Sequence, residues 1–85
     1  MSRLEKAKQR ILSRPRDYTY SEAKALLGQL GFVEFSAGKT SGSRVRFFRA
    51  DDKRVILLHK PHPKDVMSPG AVDSLYEYLI NIGEI

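Results

Sequence analysis

The sequence predicts an α+β domain in which a three-stranded antiparallel sheet carries helices packed on one face. Capping residues mark the starts of three helices, and the middle of the chain alternates between apolar and polar residues. The connections between the predicted strands are short, which favours an antiparallel meander. We expect the order helix, helix, three strands, helix, in which the first helix is an addition at the N-terminus.

The first helix is predicted from a capping box at residues 2–5, in which Ser2 caps the helix and Glu5 reaches back to it. Pro15 is expected to stop this helix. A narrow apolar stripe follows the cap, formed by Leu4, Ala7, Ile11 and Leu12. Because the stripe is narrow, we expect the helix to lie on the surface. Residues 1–17 are interpreted as a basic helix and linker, and residues 18–85 as the main domain.

Two further helices have clear start and stop signals. A capping box at residues 19–22 begins the second helix, and Gly31 ends it. Ser68 caps the last helix, and Pro69 takes its first position, where a missing N–H costs nothing. Gly83 ends that helix.

Three strands are predicted at residues 32–35, 44–49 and 54–59, with a hairpin turn at residues 50–53. On the third strand the pattern leaves two choices open, because either Val55 and Leu57 or Ile56 and Leu58 can face the helices. The rest of the predicted core comprises Leu26, Leu27, Leu30, Val45, Phe47, Leu75 and Leu79. Tyr18 and Tyr20 could stack on bases, but we expect them at the edge of this core, partly buried.

The middle strand places Arg44, Arg46 and Phe48 on one face, opposite Val45, Phe47 and Arg49. If Val45 and Phe47 face the helices, the outer face carries two arginines and an aromatic ring. Such a face suits RNA, whose phosphates attract arginine and whose bases stack on aromatic rings.

The charge distribution points to the same partner. The net charge is +5, and no basic residue follows Lys64, whereas six of the fifteen basic residues fall in the first sixteen positions. A basic body of this kind is typical of proteins that bind RNA or DNA, although a solvated charged surface is the alternative. There are no cysteines, and no apolar run approaches the length of a membrane span. We therefore expect a cytoplasmic protein without a membrane partner.

A glycine- and serine-rich turn at residues 38–43 leads directly into the middle strand. Free backbone N–H groups and hydroxyls in such a turn can face an anion, although an ordinary polar hairpin loop is the alternative. The predicted RNA-binding residues are Lys39, Thr40, Ser41, Gly42, Ser43, Arg44, Arg46 and Lys60.

His59 and His62 are the only histidines. Histidine titrates near neutral pH, so either could shuttle a proton in RNA cleavage, with Arg44 stabilising the charged transition state. The alternatives are a strand-end residue for His59 and a residue of a rigid proline-bracketed loop for His62. No third metal ligand stands near the pair, so we expect neither a metal site nor a cofactor.

The segment from Tyr20 to Ile82 resembles the HicA family of small toxins from bacterial toxin–antitoxin systems. The resemblance rests on the helix that ends at residues 30–32, the turn at residues 38–43, residues 60–62 and the helix from Pro69. It implies a fold similar to the double-stranded RNA-binding domain (α-β-β-β-α), metal-independent endoribonuclease activity on mRNA in a type II system, and a HicB-like antitoxin as partner.

The resemblance also implies that Gly42 and Ser43 match a family turn whose next residue is usually a histidine taken as catalytic. Here Arg44 follows instead, and arginine stays protonated, so it cannot act as a general base. His62 or His59 would then have to replace the usual histidine. Two other functions stay open at this point: an inactive RNA-binding module on the same fold, and a basic domain that binds an acidic protein.

Overall fold

The computed structural model describes residues 2–36, 44–61 and 64–85. It confirms an α+β architecture in which three helices accompany one three-stranded antiparallel sheet. In chain order the elements are α1 (Arg3–Leu12), α2 (Tyr20–Gln29), β1 (Val33–Ser36), β2 (Arg44–Arg49), β3 (Arg54–His59) and α3 (Pro69–Asn81).

The three predicted helix starts are confirmed. The side chains of Ser2, Thr19 and Ser68 each accept a hydrogen bond from a backbone N–H of the first turn. These caps satisfy N–H groups that have no partner within the helix. At the other end of α2, Gly31 adopts a left-handed backbone with φ 95°, a conformation that favours glycine.

α1 ends earlier than its proline predicts. The last helical residue is Leu12, and the N–H of Arg14 donates to the carbonyl of Ile11 at 2.9 Å. Arg14 then takes a left-handed φ of 45°, which turns the chain away from the helix before Pro15 is reached. A tight turn before the proline therefore ends α1, and the proline itself does not.

The sheet order is β1-β2-β3, with antiparallel pairing throughout. β1 begins at Val33, one residue later than predicted. The N–H of Phe32 donates to the carbonyl of Leu27 at 2.9 Å, so Phe32 belongs to the turn that follows α2. Its side chain is buried in the core.

The open choice on β3 is resolved in favour of Ile56 and Leu58, which are buried, whereas Val55 and Leu57 are exposed. Of the predicted core residues, Leu30 is only partly buried. The other predicted core residues, Leu26, Leu27, Val45, Phe47, Leu75 and Leu79, are buried as expected.

The prediction for the two tyrosines was wrong, because Tyr18 and Tyr20 are almost completely buried. The segment before α2 pairs with the segment before α3: Met67 N–H donates to the Tyr18 carbonyl, and Tyr20 N–H donates to the Asp65 carbonyl, both at 2.8 Å. Because these backbone hydrogen bonds hold the two segments together, both tyrosine rings lie in the core. Met67 is buried as well.

α1 packs against α2 and α3, and it is more firmly attached than a narrow stripe suggests. Ile11 is fully buried in the main core, whereas Leu12 stays 44% exposed. Arg10 holds the helix in place: its guanidinium donates to the Glu22 carboxylate at 2.6 Å and to the Asp17 carboxylate at 2.9 Å. Charge-assisted hydrogen bonds of this kind are stronger than neutral ones.

Glu22→Gln is expected to lower the free energy of unfolding by about 1 kcal/mol at neutral pH, a modest value because the pair is partly exposed. The hydrogen bond from Arg10 holds the pKa of Glu22 below its usual 4.5. A carboxyl whose folded pKa is depressed stabilises the fold above its unfolded pKa, and this contribution is lost as the pH falls through the folded pKa. The difference between wild type and variant should therefore shrink in urea melts as the pH falls below about 4.

Asp17→Asn is the matched control, because it removes the more exposed partner of the same guanidinium. It should lower the free energy of unfolding by less than Glu22→Gln does. If the two variants lose equal free energy of unfolding at every pH, the Glu22 charge has no specific role in holding α1.

Candidate nucleic-acid interface

The face of the sheet that points away from the helices, which we call the outer face, alternates basic and apolar side chains. On β2 the exposed positions Arg44 and Arg46 alternate with the buried Val45 and Phe47, as predicted. The remaining members of the outer face are Val33, Phe35, Phe48, Val55, Leu57 and His59.

The strand register brings three of the predicted site residues together. Arg44 lies directly opposite His59 in the β2–β3 ladder, and Arg46 lies between Phe35 on β1 and Leu57 on β3. Side chains opposite one another in an antiparallel pair have Cβ atoms only about 5 Å apart. A guanidinium and an imidazole therefore stand next to each other at one end of the outer face.

The arginines divide into those that hold the fold together and those that do not. Arg10, Arg49 and Arg54 each form an ion pair with a carboxylate at 2.9 Å or less. Within residues 2–36, 44–61 and 64–85, Arg44 and Arg46 form no such pair. Their charges are available to an anionic ligand.

Arg49, the last residue of β2, differs from Arg44 and Arg46 because its charge is already paired within the fold. It follows Phe48 on the same strand, yet its guanidinium bonds to Asp52, to the Leu30 carbonyl and to Glu84. These hydrogen bonds raise the pKa of Arg49 above its usual value, led by the bond to Asp52. The pKa of Asp52 falls to about 2 for the same reason. Arg49 is therefore structural and is not a member of the candidate interface.

Lys60 lies apart from Arg44 and Arg46. Its Nζ is 6.0 Å from the centroid of the Tyr20 ring, which packs against the helix-facing Phe47. The Tyr20 hydroxyl donates to Glu34, and Lys24 Nζ lies 3.1 Å from the same carboxylate. Lys60 therefore belongs to a mixed-charge cluster on the helix side of the sheet, at the start of α2.

In that cluster the Glu34 carboxylate is held by both the Tyr20 hydroxyl and Lys24. The hydrogen bond from the Tyr20 hydroxyl, assisted by Lys24, lowers the pKa of Glu34 and keeps it ionised. Burial, followed by the hydrogen bond to Glu34, raises the pKa of Tyr20, so the phenol stays protonated and donates. The cluster holds α2 against β1.

Several predicted site residues lie outside the described residues: Lys39, Thr40, Ser41, Gly42, Ser43 and His62. The segment 37–43 connects Ser36 to Arg44, and Ser36 is the β1 residue paired with Val45. Both attachment points are at the end of the sheet that carries Arg44 and His59.

Residues 2–36, 44–61 and 64–85 contain no cluster of three or more His, Cys, Asp or Glu side chains suited to a metal ion. None of the described helices has the length and apolar character that crossing a membrane requires.

Sequence reasoning missed Phe35 as a member of this face. Its ring is 50% exposed and packs edge-on against Phe48, with 6.4 Å between the ring centroids. Phe35 stands on a short strand whose alternation is weak, so its face could be assigned only from the pairing with Arg46.

The fold and the outer face together define a small basic α+β domain with an exposed arginine and aromatic sheet surface. The sequence profile of the HicA toxin of bacterial toxin–antitoxin systems matches residues 20–80, from the start of α2 almost to the end of α3. The chain therefore belongs to the HicA toxin family. Searches of curated proteins and of solved structures each give no match.

Proposed function

We propose that this HicA-family protein is a toxin that acts on RNA in the cytoplasm, and that it binds RNA through the Arg44 end of the outer face. Arg44 and Arg46 would hold phosphates, and residues 39–43, for which the sequence predicts a turn, would add hydroxyl and backbone N–H donors. Family membership implies an antitoxin protein as the partner that restrains it.

One observation carries this proposal. Arg44 and Arg46 are exposed and are not paired with any described carboxylate, whereas Arg49 on the same strand is held by two. An unpaired arginine exposed beside a second one is suited to bind phosphate oxygens with two parallel hydrogen bonds. Lys60 is a weaker member of the proposed set, because it is directed to the helix side.

The register supports a chemical role for the same end of the sheet. Cleavage that uses the 2′-hydroxyl of RNA as nucleophile needs a proton carrier and a cation close to one phosphate. His59 opposite Arg44 supplies both types of group on neighbouring strands. We propose His59 and His62 as candidate proton carriers and Arg44 as the phosphate-binding cation.

A second candidate function is an inactive RNA-binding relative of the family. It is favoured by Arg44, which stands where the resemblance implies a catalytic histidine and cannot accept a proton at neutral pH. The two candidates share the RNA surface and differ only in whether the bound strand is cut.

Replacing both Arg44 and Arg46 with glutamine is expected to weaken RNA binding and to reduce its salt dependence. Each lost phosphate contact lowers the slope of log K against log salt by about 0.7 for a single strand. The double variant should therefore lose about 1.4 from the slope, measured by fluorescence anisotropy with a labelled oligoribonucleotide across a salt series.

Arg3→Gln with Arg16→Gln is the matched control, because it removes the same charge from exposed positions outside the sheet. The control should keep the wild-type slope. If the control loses the slope and the sheet variant keeps it, the phosphate contacts belong to the N-terminal basic segment and the proposed surface is wrong.

A further inference from the structure

The outer face carries two neighbouring phenylalanine rings, Phe35 and Phe48, that are not part of the buried core. Both lie on the side of the sheet away from the helical core, and half of the Phe35 surface is open to solvent. Buried aromatic side chains stabilise a core, whereas an exposed ring beside arginine is the usual platform for an unpaired base. We propose that unpaired nucleotides stack on Phe35 and Phe48, so that the outer face selects single-stranded over duplex RNA.

The geometry places the two rings beside the cations. Phe35 pairs with Arg46 in the β1–β2 ladder, and Phe48 lies on the same face two residues beyond Arg46. The ring planes meet at 64° with 6.4 Å between their centroids, an edge-to-face arrangement that fixes their positions relative to each other. An RNA strand that crosses β1 and β2 would therefore contact a phenylalanine ring and the Arg46 guanidinium within one nucleotide step.

The charge on this face favours a polyanion. Glu34 is the acidic residue between Val33 and Phe35, and it turns to the opposite face, where it bonds to Tyr20 and Lys24. The described positions of the outer face therefore carry arginine and histidine but no carboxylate. A second copy of the chain would set arginines against arginines, which costs free energy.

The exposed aliphatic neighbours fit the same ligand. Leu57 is 71% exposed next to Arg46, and Val33 is 58% exposed next to Phe48. Both are apolar surfaces on which a base or a ribose can rest. In a duplex the base faces are covered by their neighbours, so only unpaired nucleotides can use the rings.

This inference rests on the proposed function, and the chain offers a direct reporter for it. The sequence contains no tryptophan, so Phe35→Trp introduces a single indole on the outer face. A base stacked on that indole should quench its fluorescence. The probes are oligouridylate and oligoadenylate of about ten nucleotides, which is within the length that one such surface covers, and an RNA duplex of equal length.

We expect the single strands to quench the Phe35→Trp indole and the duplex to leave it nearly unchanged. Leu12→Trp is the control, because Leu12 is 44% exposed on α1, outside the sheet, and its indole should not respond to either probe. Phe35→Leu keeps an apolar side chain but removes the ring, and it should weaken single-strand binding about 5- to 150-fold.

The outcomes separate this inference from the proposal on which it rests. If the wild-type protein binds neither probe, the proposed RNA function itself fails. If wild type and Phe35→Leu bind the single strands equally, or if the duplex quenches as strongly, RNA binding stands and the stacking platform is overturned. Unchanged affinity in Phe35→Leu is also the result expected of a face that serves a protein partner.

Discussion

Leu27→Ala is expected to lower the free energy of unfolding by about 2–5 kcal/mol. Leu27 is fully buried in α2, so truncation removes apolar contacts and leaves a cavity. Its carbonyl also accepts the N–H of Phe32, which places the residue where the helix turns into β1. For a domain of this size the loss is a large part of the total stability.

The measurement is urea unfolding of wild type and Leu27→Ala, followed by circular dichroism. Leu57→Ala is the matched control, because Leu57 is 71% exposed on the outer face, and its truncation should change stability by no more than about 0.5 kcal/mol. If Leu27→Ala and Leu57→Ala melt alike, the buried face of α2 is misassigned.

The helix starts could be predicted because their cause is local. A hydroxyl that caps an N-terminus acts within three residues, so Ser2, Thr19 and Ser68 are recognisable from the sequence alone. The alternation on β2 was also sufficient to separate Arg44 and Arg46 from the core. Both features depend on neighbours in the sequence.

The features that escaped prediction depend on residues far apart in the chain. Tyr18 is buried because its carbonyl pairs with the N–H of Met67, 49 positions later in the sequence, and no local pattern records that contact. The alternation on β2 places Arg49 on the same face as Val45 and Phe47, but no local pattern records that its guanidinium pairs with Glu84 at the end of the chain. Long-range pairing decides which charges are free.

Of the candidate site, too, the sequence predicted the local features but not the pairings between strands. The sequence placed Arg44 and Arg46 on one face, but only the register shows that His59 stands opposite Arg44. Lys60 follows His59 directly, and the strand alternation sends it to the other side of the sheet. A list of basic residues therefore overestimates the surface that can hold phosphate.

Arg44→His is expected to raise RNA cleavage about 10²- to 10⁴-fold, the usual contribution of a positioned proton carrier. Arg44 is exposed at the start of β2 and forms no ion pair with another described residue, so the substitution should leave the fold intact. The new imidazole would stand opposite His59, so two imidazoles would lie next to each other on neighbouring strands. The measurement is the rate of cleavage of a labelled RNA, with thermal melting to verify the fold.

The comparison needs wild type, Arg44→His, His59→Ala and His62→Ala. If wild type cleaves and one alanine variant does not, that histidine is the natural proton carrier. His62 is our first candidate, because the resemblance to the family implies a histidine at this place in the order of motifs. If cleavage is gained only in Arg44→His, the natural protein is the inactive RNA-binding relative. Wild-type cleavage that both alanine variants retain in full would rule out a histidine mechanism. A folded Arg44→His variant with no gain in rate would show that the start of β2 is not where the proton is transferred.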